Sequence, residues 1–219
     1  MQDSMTPIPV MYQGQFGEFT ITDDDRKGVL IYRSALMVAA LSFAIATTLV
    51  LRQPDSEVVQ HAISALYTVF TLALGVSLFT IHIYMAALHR ALQAFWVVGV
   101  VAAIAISHLY PEPFAVTVYE HPITILGIGF TFAALTGIFF KEAFCFNRLE
   151  TKVLTPVVPF LLVGHMVGLL PPLAEQILLS VWAMLMLVFA VRKAFQDIPA
   201  DIGDKSVFDY LHKKHTKNT

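Results

Sequence analysis

Long apolar runs separated by short polar breaks dominate this chain. Six stretches approach the ~20 apolar residues that a helix needs to cross ~30 Å of hydrocarbon. They are Val29–Leu51, Ala62–Leu88, Ala91–His108, Ile123–Phe140, Val153–Leu170 and Leu173–Val191. Only His89 and Arg90 divide the second from the third, which predicts a tight hairpin there. Pro171 and Pro172 divide the last two, since proline cannot continue a helix interior. A five-span alternative would make residues 91–108 re-entrant. The pattern predicts an all-α polytopic membrane protein, a bundle of six transmembrane helices. It divides the chain into an N-terminal segment (1–28), the transmembrane domain (29–191) and a basic tail (192–219).

Finer periods run inside the spans. In the second, steps of seven place His61, Thr68, Gly75, His82 and His89 along one line, with Ser64 and Thr71 beside it. Seven residues turn a straight helix to within ~20° of its starting face, so these positions predict one small and polar stripe. Lipid cannot satisfy hydroxyls or imidazoles, so the stripe should face other helices, as a packing seam or as a pathway. Gly129, Ala133 and Gly137 in the fourth span, and Gly164 and Gly168 in the fifth, are spaced to let another backbone approach. Before the first span, Thr22 to Asp25 offer N-cap oxygens and first-turn acids. Arg33 is the one basic residue expected inside a span, and its long stem can snorkel to the near interface.

Composition agrees with a membrane solution. Hydrophobic residues make up 57% of the chain and charged ones 14%, and the mean hydropathy is +0.68. A net charge of −2 gives no basic field for nucleic acid. The first residues lack the basic region and apolar core of a cleavable signal. Charge placement then sets orientation. With six spans, all but one of the 14 Lys and Arg residues fall on one side, and Arg52 stands alone on the other. The positive-inside rule predicts both termini on the cytoplasmic or stromal side.

Candidate chemistry centres on residues 141–170. The connector KEAFCFNRLE holds Lys141, Glu142, Arg148 and the only cysteine, Cys145. Neighbouring cations can lower a thiol pKa. The plainer expectation is a positive-inside anchor with local ion pairs and a buried, inert cysteine. His165 lies deep in the fifth span and is a candidate single-histidine ligand for a pigment or haem. His82 is a second candidate. Their depths differ by ~10 Å, which disfavours coaxial ligation of one haem by both. The structural expectation for His165 is donation to Thr68 or Thr71. On the outer side His61, His108 and His121 accompany Asp55, Glu57, Glu112, Glu120 and Glu175, without metal-ligand spacing. No Asp or Glu lies deep in a span, and no HExxH, GxSxG or phosphate-loop pattern occurs. The balance is against an enzyme. At the C-terminus, Ser206 is placed to cap a short amphipathic helix that leads to Lys213, Lys214, His215 and Lys217.

Three stretches carry a resemblance: FGEFTIT at 16–22, KEAFCFNRLE at 141–150 and PFLLVGHMVGLL at 159–170. Together they resemble an uncharacterised integral membrane protein family of cyanobacteria and plastids. The resemblance implies a thylakoid membrane or the plasma membrane of such a cell. It implies no activity and assigns no residue a role. Three functions are therefore expected. The first is an accessory or assembly factor binding a membrane partner complex. The second is a small-solute or ion transporter using the stripe of the second span. The third is a pigment or haem protein. The sequence specifies no cofactor and no partner beyond the bilayer.

Overall fold

A computed structural model describes residues 10–208 and 210. The chain starts with an antiparallel hairpin, β1 (Met11–Gly14) and β2 (Gly17–Thr20). Helix α1 (Asp23–Arg52) follows, and its start is the expected one: the Thr22 hydroxyl accepts from the Asp25 amide, while the Asp25 carboxylate accepts from the Thr22 amide. Next come α2 (Glu57–Thr80), α3 (Ala86–Leu109) and a short α4 (Phe114–Glu120). A 3-10 turn (Pro122–Thr124) leads into α5 (Ile125–Phe146). The last elements are α6 (Leu149–Met166), α7 (Pro172–Ala194) and α8 (Ile198–Ile202), with a helical turn at 205–208.

The protein is an all-α polytopic membrane protein. Helices α1, α2, α3, α5 with its 3-10 turn, and α7 are long and apolar enough to cross a bilayer. The element that falls short is α6, with 18 residues that include Glu150, Lys152, two prolines and His165. Large apolar side chains such as Leu30, Leu41, Val101 and Ile104 are exposed, as a lipid-facing surface requires. The buried core runs through Leu36, Leu74, Leu135, Ile138, Leu154, Met186 and Phe189.

Helix α3 packs against α5 and joins this core through Leu92 and Ile106. At Gly99 a Cβ would stand 2.5 Å from the backbone nitrogen of Thr131, so the two helices meet backbone to backbone. Gly137 accepts Leu92 of α3 in the same seam. Gly75 of α2 lies under the ring of Trp96, whose indole N–H donates to the Thr71 carbonyl at 2.8 Å.

Four boundaries differ from the sequence expectation. The turn between α2 and α3 is at residues 81–85, so His82 is off the helix and His89 and Arg90 belong to α3. The seven-residue stripe therefore stops at Gly75. The turn is hidden in sequence because Ile81 and Ile83 are buried in it, with no Gly or Pro to mark it. The α2 end is closed instead by His89, whose Nε2 lies 2.6 Å from the Leu78 carbonyl. The charged connector is helical except at residues 147–148, where Asn147 turns the chain at φ 51°. Gly168 is not a packing glycine. At φ 66° it ends α6, with Gly168 donating to His165 and Leu169 to Gly164 in a Schellman motif. Gly164 meets Leu170 of that same turn, and Gly129 borders an apolar groove of about 350 Å³ beside Pro159. Ser206 sits inside the last helical turn, and it is Asp204 that accepts from the Ser206 amide. Lys213, Lys214, His215 and Lys217 lie outside the described residues.

The two ends of the chain meet. The Gln15 and Phe16 amides donate to Asp204 and Ser206, and Lys205 pairs with Asp25 at 2.7 Å. The Gln15 amide and the Ser206 hydroxyl hold the Asp204 carboxyl below the usual carboxylate range.

Candidate functional site

Two polar regions lie at opposite ends of the bundle, with an aromatic layer and an apolar core between them. At the end away from the termini is a cavity of about 660 Å³. Its walls come from α1, α2, α4, α5, α6 and α7. Its floor is aromatic, with one ring from each of four helices. Phe43 of α1 lies 4.4 Å from Trp182 of α7 and 6.0 Å from Phe70 of α2. Phe132 of α5 lies 5.8 Å from Phe70 and 5.2 Å from Trp182. These separations are those of favourable aromatic pairs. The rim is polar and includes Asp55, Gln60, Glu120, His165, Glu175 and Gln176. Trp182 is almost fully buried, yet its indole N–H has no hydrogen-bond partner among the described residues. A buried donor left unmade costs ~1–3 kcal/mol, so this one calls for an acceptor.

His165 belongs to this rim. Its Nδ1 lies 2.7 Å from a Glu175 carboxylate oxygen and its Nε2 lies 3.2 Å from the Tyr119 carbonyl. The ring stacks on Tyr119 at 5.0 Å. Both nitrogens face acceptors, one from α7 and one from α4, so the ring is held from two sides. The expected donation to Thr68 or Thr71 is not made. Residue 165 ends α6, and the turn after it delivers the ring to α7 and α4 instead. Thr68 donates to Ser64 of its own helix, and the buried Thr71 hydroxyl has no partner among the described residues.

About 15 Å further along α5 from Phe132 the charged connector opens into a buried ionic layer. Glu142 is fully buried and accepts from Lys141 at 2.8 Å and from Lys193 of α7 at 2.7 Å. Lys193, also fully buried, pairs with Asp201 of α8 as well. Asp201 takes Arg33 at 2.6 Å, and Arg33 donates further to the Gln196 and Asp197 carbonyls. Glu150 joins Arg148 at 3.6 Å to Arg192 at 2.7 Å. Phe146 lies beneath Lys193, 4.3 Å from its nitrogen. Arg33 therefore does not snorkel; α8 returns a carboxylate to it. Cys145 is exposed rather than buried.

The sequence reading missed Lys193 as a partner of the connector and Asp201 as a partner of Arg33 and Lys193. Asp201 is 168 residues from Arg33, and nothing local marks it. The one available signal was a basic residue, Arg33, inside an apolar run. The outer histidines do not converge. His108 turns to the Ile104 carbonyl, and His121 packs at a tilt against Tyr110, 4.8 Å between ring centres. Among the described residues, no group of three or more His, Cys, Asp or Glu is placed to hold a metal ion.

His82 packs over Gly28 in the turn between α2 and α3. Burial pushes its imidazole pKa down, an effect that Asp25 opposes and that Lys141 and Lys205 reinforce. The unfolded chain titrates near 6.5. Below that pH the unfolded state takes a proton that the folded state refuses, so stability falls as pH drops through the window under 6.5. Unfolding followed from pH 7.5 to 5 should show this loss. His82→Gln should flatten that part of the profile, and an unchanged profile in the variant would reject the assignment.

A family model described as uncharacterised integral membrane protein (DUF2301) matches residues 76–210, from the end of α2 through α8. This agrees with the resemblance drawn from the connector and fifth span. Comparison with curated proteins and with solved structures finds no match in either.

Proposed function

The chain belongs to this family of integral membrane proteins, and from that premise we propose a non-enzymatic accessory protein that holds an amphipathic molecule in its outer cavity. The observation that carries this reading is the cavity itself. An enclosure of about 660 Å³ with an aromatic floor and a few polar rim groups has the size and lining of a small-molecule site. A molecule apolar through most of its length, with a polar head at the rim, matches both.

The same proposal includes six passes and both termini on the cytoplasmic or stromal side. Support comes from α6, which runs back between α5 and α7 through two short turns. It also comes from Arg33 of α1 and Asp201 after α7, which pair at one end, as an even number of passes requires. The membrane is a thylakoid or plasma membrane on this reading. A partner complex would deliver or receive the ligand.

A second reading, carriage across the membrane, is favoured by one observation. The outer cavity ends on a closed aromatic floor, and the other end is sealed by ion pairs that can exchange partners. Such a carrier would not use the expected stripe on α2. Its route would run between α1, α2, α5 and α7.

Gentle-detergent extraction followed by mass spectrometry of bound small molecules and polypeptides tests the proposal. Leu179→Trp, which fills the cavity, should abolish retention of the small molecule while the fold persists by circular dichroism. Retention unchanged in the variant would reject the cavity as the site. An optical spectrum of the same preparation decides whether His165 or His82 holds a pigment or haem.

A further inference from the structure

We infer that the cavity ligand is an apolar organic cation. This deepens the cavity reading above and rests on it. The first argument is charge. Among the described residues, the charge-bearing side chains that line the cavity are Asp55, Glu120, Glu175 and His165, beside the phenols of Tyr67 and Tyr119 and with no Lys or Arg. His165 is paired with Glu175 at 2.7 Å, and Asp55 and Glu120, both exposed and in no ion pair among the described residues, stand at the cavity mouth. Around them the whole end of the bundle is acidic. Among the described residues, Asp55, Glu57, Glu112, Glu120 and Glu175 stand at or beside the helix ends there, against Arg52 as the one Lys or Arg. Low-dielectric walls focus such a field into a cleft, which raises the local concentration of cations and repels anions.

The second argument is the floor. Phe70, Phe132 and Trp182 form its buried base, and the more open rings are Phe43, Tyr67, Phe114 and Tyr119, with Tyr67 4.7 Å from Phe114 in the wall above. Ring faces attract a cation through their quadrupole, Trp most strongly, and the attraction grows where water is excluded. An inorganic cation gains little here, because nothing on the floor replaces its hydration shell. An organic cation of spread charge loses little hydration and fills the apolar volume as well. The carboxylates of the rim supply the long-range field, and the open rings near the mouth, Tyr67, Phe114 and Tyr119, supply the contact.

Two isosteric probes of opposite charge separate the claims. Tetraphenylphosphonium and tetraphenylborate differ in sign and little in shape. Their binding to the purified protein is read by fluorescence of Trp182 in a Trp96→Phe background, or by isothermal titration calorimetry should that variant not fold. The expected result is saturable binding of the phosphonium, about tenfold or more tighter than the borate. Asp55→Asn with Glu120→Gln should weaken the phosphonium several-fold and leave the borate unchanged or improved. Equal binding of both probes, blocked by Leu179→Trp, would overturn the cation and leave the cavity reading standing. Binding of neither would overturn both.

Discussion

Glu142→Gln is expected to destabilise the protein by about 3–5 kcal/mol, the usual cost of breaking a buried ion pair from one side. The reason is stoichiometric. One fully buried carboxylate serves two ammonium groups, Lys141 at 2.8 Å and Lys193 at 2.7 Å. Neutralising it leaves Lys193 on Asp201 alone, and Asp201 is already shared with Arg33. The double variant Glu142→Gln with Lys193→Met should recover part of the loss, since removing both partners spares the orphaned charge. Denaturation in detergent micelles measures each variant. A single-variant loss under about 1 kcal/mol would show that water reaches this layer and screens it.

The second large effect is expected at a residue without a side chain. Gly99→Ala must place a methyl carbon 2.5 Å from the Thr131 nitrogen and 3.0 Å from its Cα. Both are backbone atoms, so no rotamer change relieves the contact and α3 must move off α5. Overpacking of this kind costs about 1–3 kcal/mol, and alanine returns up to about 1 kcal/mol in helix propensity. A net loss near the upper part of that difference is expected, together with looser attachment of α3 seen as faster proteolysis. Gly129→Ala is the control. Its nearest neighbour is the Ile125 Cγ2 of its own helix at 3.6 Å, so it should be neutral or stabilising. A Gly99 variant as stable as the Gly129 variant would show that the two helices do not touch through backbone.

The class of fold was legible in the chain because lipid imposes long apolar runs and allows only hydrogen-bond-complete helices through them. Termination was harder to read. Pro171 and Pro172 announce one end, yet α6 stops earlier because Gly168 takes a left-handed conformation, a choice that composition does not display. The α2–α3 turn was invisible for the opposite reason: around His82 it is built from Ile81, Ile83 and Tyr84, residues that also suit a span. The site was half legible. Connector charges and His165 stood out as polar groups in apolar surroundings. Their partners did not, because Glu175 and Asp201 look like ordinary boundary acids until the fold brings them within 3 Å. The cavity had no sequence mark at all. Phe43, Phe70, Phe132 and Trp182 are core-type residues on separate helices, and only their convergence makes a floor.

The pairing of Arg33 with Asp201 also has a consequence in time. The two are 168 residues apart, and synthesis at 5–20 residues per second separates their emergence by roughly 8–30 s. Through that interval an inserted α1 carries a guanidinium without its final partner, and Lys193 joins it near the end. Helix α8, five residues long, is thus a late step of assembly. It brings Asp201 to Arg33 only after α1 to α7 have been made.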